Sequence, residues 1–414
     1  MSRARPSLRK SAAALFVSLA FLPGIAIEQE LQLDYRLNEH IVQIPAGPTH
    51  QAMMQTTVYQ PNGPGPFPLL IINHGKDPGK PSAQPRDRFY HMAAAFVKRG
   101  YAVMVPMRQG FASSTGRYRD HGCDMTANGY TQANDILDAV NYARAQPWVD
   151  GERIVIAGQS YGGMATLALG TQALPGVRGL INFAGGLKDT SNGCDWKSEL
   201  VSAFGNYGAN NKIPSLWMYG VNDSLFGPDL AMRLHAAFEL AGGHGTLVEY
   251  GPFKRDSHGM LASRDGEKVW QADTEKFLEQ VGMPHKVLYD IPPPPMPART
   301  DFAALDDVEA VPHMTEAGRR AYRDYLTKLT PRAFALSAGG SWTWAEEGED
   351  PAGRALSTCN ARSLEPCQLY SMDDHIVWKG ELAEKAAVTA SIAAPQAPSA
   401  GNGGAVGSTA TAGP

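Results

Sequence analysis

The chain has 414 residues, 43% of them hydrophobic and 9% aromatic, and a formal net charge of −4. It is long enough to bury one large core and a second, smaller one. Neither its charge nor any run of Lys or Arg suits a nucleic-acid partner.

Residues 1–26 have the pattern of a secretory signal: a basic start with Arg3, Arg5, Arg9 and Lys10, an apolar run from Ala12 to Leu22, and small residues at Gly24 and Ala26. The apolar run is short for a membrane span. Export to the periplasm or the medium is therefore expected, with no membrane contact after cleavage. Losing the signal removes four positive charges and leaves a net charge of about −8. In an exported protein the four cysteines are expected to pair.

Strands are expected at His40–Ala46, Met53–Gln60 and Phe67–Asn73, a helix over 87–99, and a buried strand at Tyr101–Pro106. A helix over 128–145 puts Ala133, Ile136, Leu137, Val140 and Ala143 on one face. Further strands are expected at Ile154–Gly158, 179–184, 213–219 and 246–250, and further helices after Ser160, over 228–240 and near 264–281. The stretches 108–128 and 185–212 are expected as loops that shape the pocket. Strands alternating with helices from residue 67 to 281 predict a doubly wound, mostly parallel α/β sheet. Such a fold gathers its strand-to-helix loops on one edge, where sites are built.

The centre of that pattern is Gly158-Gln159-Ser160-Tyr161-Gly162, which follows an apolar β-branched run and precedes good helix formers. A serine at a tight strand-to-helix turn is a nucleophile elbow, with the helix N-terminus aimed at a developing oxyanion. Asp223 follows the apolar strand Leu216–Gly220, and His258 follows the last short strand. On the same edge these supply the acid and the base of a triad in the order Ser160, Asp223, His258. Asp256 is a rival acid, only two residues from His258. The first oxyanion donor is expected to be the amide of Tyr161, and the second that of Lys76 in the loop after the third strand, with Gly75 close behind. Loss of one such donor costs about 3–4 kcal/mol. Arg108 and His74 are the candidates for substrate contact, with Arg108 alternatively bracing its loop and His74 orienting its own. No spacing of ligands suggests a metal, and no cofactor is implied.

Taken together, His74-Gly75, Arg108 with Gly110, the serine elbow, Gly220-Val221-Asn222-Asp223 and His258-Gly259 resemble the dienelactone hydrolase family of the α/β-hydrolase superfamily, over roughly residues 40–282. The resemblance implies the α/β-hydrolase fold and hydrolysis of an ester. That family uses a cysteine nucleophile, and Ser160 stands in its place here, which favours a serine carboxylesterase acting on a small-molecule ester. The alternatives are a serine peptidase of the prolyl-oligopeptidase-like type and a non-catalytic envelope-binding protein on a hydrolase scaffold. Cys123 and Cys194, each within Gly-Cys-Asp, are expected to bridge two loops above the site.

The Pro-rich run 291–297 interrupts the pattern, and 289–311 is expected as a stiff linker between the hydrolase domain at 27–288 and a small module at 312–382. In the module, Thr315 caps a helix carrying Ala321, Tyr322, Tyr325, Leu326 and Leu329, and Cys359 suits a disulfide with Cys367. Residues 330–378 are similar to a small cysteine-paired module at the ends of exported bacterial proteins. For an esterase, a chain ending at residue 290 is expected to retain turnover. Residues 383–414, rich in Ala, Gly, Ser, Thr and Pro, are expected to be a disordered tail. Oligomeric state is open.

Overall fold

The computed structural model describes residues 33–172 and 174–380. The expected signal and tail lie outside them. The first 250 or so of these residues build an eight-stranded sheet from β1 (His40–Ala46), β2 (Ala52–Tyr59), β3 (Phe67–Asn73), β4 (Ala102–Pro106), β5 (Val149–Gln159), β6 (Val177–Phe183), β7 (Ser215–Gly220) and β8 (Gly245–Tyr250). Its order is β1-β2-β4-β3-β5-β6-β7-β8. Strands β3 to β8 run parallel, and β2 is antiparallel to both β1 and β4. This is the α/β-hydrolase fold expected from the sequence.

Six helices cover the sheet: α1 (Tyr90–Lys98), α2 (Met125–Arg144), α3 (Tyr161–Leu169), α4 (Trp196–Asn210), α5 (Pro228–Leu240) and α6 (Glu267–Gln280). The period-2 alternation of strand side chains divides the core between the two faces. Leu69 and Ile71 of β3 join α2, α3, α4 and α5 on one face, whereas Leu70 and Ile72 join α1 and α6 on the other. All seven residues of β3 and all five of β4 are buried, as strands covered on both faces require.

Helix α4 corrects the loop expected over 185–212. Its Leu200, Ala203, Phe204 and Tyr207 are buried at helical spacing, but the glycines and asparagines between them weaken the sequence signal. Gly208 is required there, because a Cβ at that position would sit 2.1 Å from the carbonyl oxygen of Phe238 in α5. Cys123 and Cys194 form the expected disulfide. Each immediately precedes an N-cap aspartate: Asp124 accepts the amide of Ala127 at 2.8 Å to start α2, and Asp195 that of Ser198 at 3.4 Å to start α4. The repeated Gly-Cys-Asp is thus a helix start with a bridge built into it.

A second sheet of four antiparallel strands, order β10-β9-β11-β12, comprises β9 (Arg332–Ser337), β10 (Trp342–Glu346), β11 (Cys367–Met372) and β12 (His375–Ile376). Helix α7 (Glu316–Leu326) packs Tyr322 and Tyr325 against Phe334 and Tyr370 on one face. Helix α8 (Pro351–Asn360) packs Ala355 and Cys359 against Ala333 and Ala335 on the other, where Cys359 is joined to Cys367. Thr315 caps α7 by accepting the amide of Gly318, as expected. Val311 belongs to the module's core, Leu305 and Val308 pack against it, and the amide of Thr300 donates to the carbonyl of Ile376 at 2.8 Å, so the module's contacts begin near residue 300, ahead of the expected start at 312. Among the described residues no helix is long and apolar enough to cross a membrane.

Replacing both Cys123 and Cys194 by alanine should lower the unfolding free energy of the hydrolase domain by roughly 4 kcal/mol, since the bridge closes a loop with a sequence separation of 71. Urea unfolding of the double variant checks this. An unchanged midpoint would mean that the bridge does not restrict the unfolded chain.

Candidate active site

The chain passes from β5 into α3 through Ser160, whose backbone has φ 55° and ψ −124°. A residue with a side chain rarely adopts this conformation, and it persists only where its surroundings impose it. Here the Ser160 amide donates to Phe183 at 2.9 Å, while its carbonyl accepts from Met164 at 3.1 Å and Gly186 at 3.0 Å. Two glycines admit the turn. A Cβ on Gly158 would meet the carbonyl of Gly162 at 2.2 Å, and one on Gly162 would meet the carbonyl of Asn73 at 2.1 Å. The Ser160 side chain caps no amide of α3, so its hydroxyl is free for other partners. It sits where the sheet order reverses between β3 and β5, the usual place for a site in an open α/β sheet.

Asp223 lies just past β7 with its side chain fully buried. One carboxylate oxygen accepts the amides of Leu225 and Phe226, both at 2.8 Å, and the other lies 3.0 Å from Nδ1 of His258. The carboxylate is thereby held in place from three directions, and it accepts the Nδ1 proton, leaving Nε2 of His258 as a base. Asp256 has another task. It accepts the amide of His258 at 2.9 Å and that of Ser224 at 3.1 Å. Burial raises its pKa, but the bonds from Ser224 and the His258 amide outweigh this and hold the carboxyl below its ordinary range. It shapes the histidine's loop and leaves the ring to Asp223.

The loop after β3 lies against the serine: a Cβ on Gly75 would be 3.2 Å from Cβ of Ser160. Its continuation is pinned where Gln84 accepts the amide of Asp77 at 2.9 Å and donates to Asp87 at 2.8 Å. Lys76 follows Gly75 in this loop, with its ammonium 5.9 Å from the centre of the Tyr118 ring. His74 and Arg108 are fully buried and both serve as braces, the role weighed above against substrate contact. Nδ1 of His74 donates to the carbonyl of Gly75 at 2.7 Å, and its Nε2 accepts the amide of Arg108 at 3.0 Å. This is a neutral imidazole. Burial and the nearby Arg108 charge push its pKa far below 6.5, with the Gly75 carbonyl opposing them. The Arg108 guanidinium donates to Gln132 at 2.7 Å and stacks near the rings of Phe111 and Tyr161; burial pulls its pKa down to about 10.

Two contacts escaped the sequence reading. The side-chain amide of Gln159, the variable residue before the serine, donates to the carbonyl of His258 at 2.7 Å and so ties the elbow to the histidine's loop. The Phe226 ring meets that of His258 edge-on at 5.5 Å and that of Trp196 at 6.2 Å, giving the site an aromatic wall. Gln159 occupies a position that the motif leaves open, and Trp196 starts the helix that was read as a loop. Among the described residues no group of three or more His, Cys, Asp or Glu could hold a metal ion.

The sequence model of the X-Pro dipeptidyl-peptidase (S15 family) matches residues 51–208, which is less than half the chain. No curated protein matches. Similar solved structures include a putative dienelactone hydrolase from Klebsiella pneumoniae (16% identity, covering 59% of this chain and 98% of that one, TM-score 0.40). Est1E from Butyrivibrio proteoclasticus, solved with ferulic acid bound, is another (19% identity, 58% and 99% covered, TM-score 0.43). A third is a puromycin-hydrolysing peptidase from Mycobacterium tuberculosis (18% identity, 64% and 42% covered, TM-score 0.44).

Because His74 is neutral in the fold and titrates near 6.5 when unfolded, the unfolded chain binds the extra proton first as the pH drops. Its contribution to stability is complete above about pH 7 and is lost progressively below it. The melting temperature of His74→Gln should consequently fall less between pH 7 and pH 5 than that of the wild type. Parallel slopes in a thermal-unfolding series would show that His74 is not held neutral.

Proposed function

We propose that this chain is an exported serine hydrolase that cleaves a carboxylic ester through Ser160, His258 and Asp223. The observation carrying this reading is the 3.0 Å pairing of His258 Nδ1 with the buried Asp223 carboxylate, on the sheet edge that also holds the strained Ser160. In this mechanism Oγ of Ser160 attacks the ester carbonyl while Nε2 of His258 takes the hydroxyl proton. The amides of Tyr161 and Lys76 hold the oxyanion. Collapse of the tetrahedral intermediate breaks the bond to the leaving oxygen, which receives the proton from His258. Water then attacks the acyl-enzyme, giving its proton to His258, and Ser160 regains a proton as the acid leaves. Among the described residues Ser160 Oγ has no hydrogen bond to the imidazole, a contact that often tightens only when substrate is bound. Two disulfides and the basic, apolar N-terminal pattern support export.

An ester requires nothing beyond these groups. A serine peptidase is the second reading, favoured by the match of residues 51–208 to the S15 peptidase family. Turnover of a p-nitrophenyl ester set against an Xaa-Pro arylamide separates the two, and a higher kcat/KM on the arylamide would overturn the ester reading.

The triad itself is tested by fluorophosphonate labelling. The wild type should label, Ser160→Ala and His258→Ala should not, and Asp223→Asn should lower kcat on the order of ten-thousand-fold. A folded wild type that does not label would remove Ser160 as nucleophile.

A further inference from the structure

The C-terminal module touches the hydrolase domain at the segments that deliver the proposed catalytic groups. The loop from Gly251 to Asp256, which carries the chain from β8 to His258, has little regular structure of its own. The module grips it at consecutive residues. Lys254, in a left-handed conformation at φ 49°, donates through its ammonium to the carbonyl of Thr330. Arg255 donates to the Glu346 carboxylate at 3.0 Å. Beyond the histidine, Arg264 donates to the carboxylate of Asp373 at 2.8 Å, and its amide donates to the carbonyl of Gly348 at 3.4 Å.

The other contact lies beside the oxyanion loop. Helix α1 has Phe89 at its N-cap, in a left-handed conformation and with no side-chain bond to an amide. The carboxylate of Glu349 supplies the missing acceptor by taking the amide of Tyr90. A carboxylate at a helix N-terminus also meets the positive end of the dipole. The segment capped in this way leads back through Asp87 to Gln84, which holds the amide of Asp77 next to Lys76.

Resting on the serine-hydrolase reading, we propose that the C-terminal module is a positioning element of the active site, with Glu346, Asp373 and Glu349 setting the placement of the His258 loop and the oxyanion loop. An exposed ion pair adds little stability. A displacement of about 1 Å at a catalytic group, however, can cost on the order of 100-fold in rate. The module therefore acts on rate more than on folding. This runs against the expectation that a chain ending at residue 290 retains turnover.

The test uses the full chain carrying Glu346→Ala with Asp373→Ala, and separately Glu346→Arg with Arg255→Glu, which restores the ion pair with its charges exchanged. Titration with a fluorophosphonate counts competent serines, so that kcat is expressed per competent site and unfolded protein drops out. The alanine variant should lose about 10- to 100-fold in kcat and in labelling rate on a small neutral ester, with KM changed less than about twofold. The exchanged pair should recover most of the rate that Arg255→Glu alone loses. A kcat per site equal to wild type in the alanine variant, whatever its melting temperature, would overturn the proposal, as would an exchanged pair no faster than Arg255→Glu alone. Wild-type protein that does not label at all would instead remove the reading on which the proposal rests.

Discussion

The geometry of the sheet's carboxyl edge depends on how closely α3 approaches the end of β3. Gly162, in the first turn of α3, lies where any Cβ would overlap the Asn73 carbonyl, and Gly158 lies where one would overlap Gly162. A buried polar network holds this approach. The Asn73 side chain donates to the carbonyl of Ala157 and to the hydroxyl of Thr166, both at 3.0 Å, and Thr166 donates in turn to the carbonyl of Gly162 at 2.8 Å. Bonds of this kind in a low-dielectric interior resist displacement, because breaking one leaves further buried groups unpaired. Ser160 is therefore held in an unfavourable backbone conformation by packing on both sides.

The same close approach governs the charges. With β3 and α3 in contact, Arg108 and His74 are wholly buried. Arg108 lies under Tyr161 and beside Gly75, the two residues that flank the proposed oxyanion site. Burying a cation without a carboxylate partner is costly. The depressed pKa of Arg108 registers that cost, and Gln132 and two aromatic faces offset part of it. A positive charge fixed beneath the proposed oxyanion site would favour negative charge above it.

The fold was legible because its central strands are continuous apolar runs. β1 and β3 fall at the expected residues and the remaining hydrolase strands within a few of them. The placement of Ser160, Asp223 and His258, the proposed triad, was legible for a related reason: each follows a strand that the pattern locates, and the parallel topology sends all three to one edge. What composition hides was missed. Helix α4 is diluted by glycine and asparagine, and the start of the C-terminal module is masked by the prolines just before it. The full burial of His74 and Arg108 was not legible, because a polar residue on a loop ordinarily faces solvent. Their burial follows from the distance between β3 and α3, which no local pattern encodes.

The three residues of the proposed triad differ in how the fold supports them. Ser160 and Asp223 follow β5 and β7, strands with neighbours on both sides; backbone bonds to Phe183, Met164 and Gly186 hold Ser160, and the amides of Leu225 and Phe226 hold Asp223. His258 hangs from β8, the edge strand, whose six residues are all half-buried or exposed. Between that strand and the histidine lie residues 251–256, outside any helix or strand. A base so placed has the longest unsupported reach of the three groups, and local opening in proteins concentrates in such segments. Internal support comes from Asn222, which accepts the amide of Phe253 at 3.0 Å, and from Gln159, which donates to the carbonyl of His258 at 2.7 Å. Lys254 and Arg255 turn outward from this loop to bond residues of the C-terminal module. In the proposed triad the member with the weakest support stands on the loop at the sheet's edge, and that is the loop the C-terminal module takes hold of.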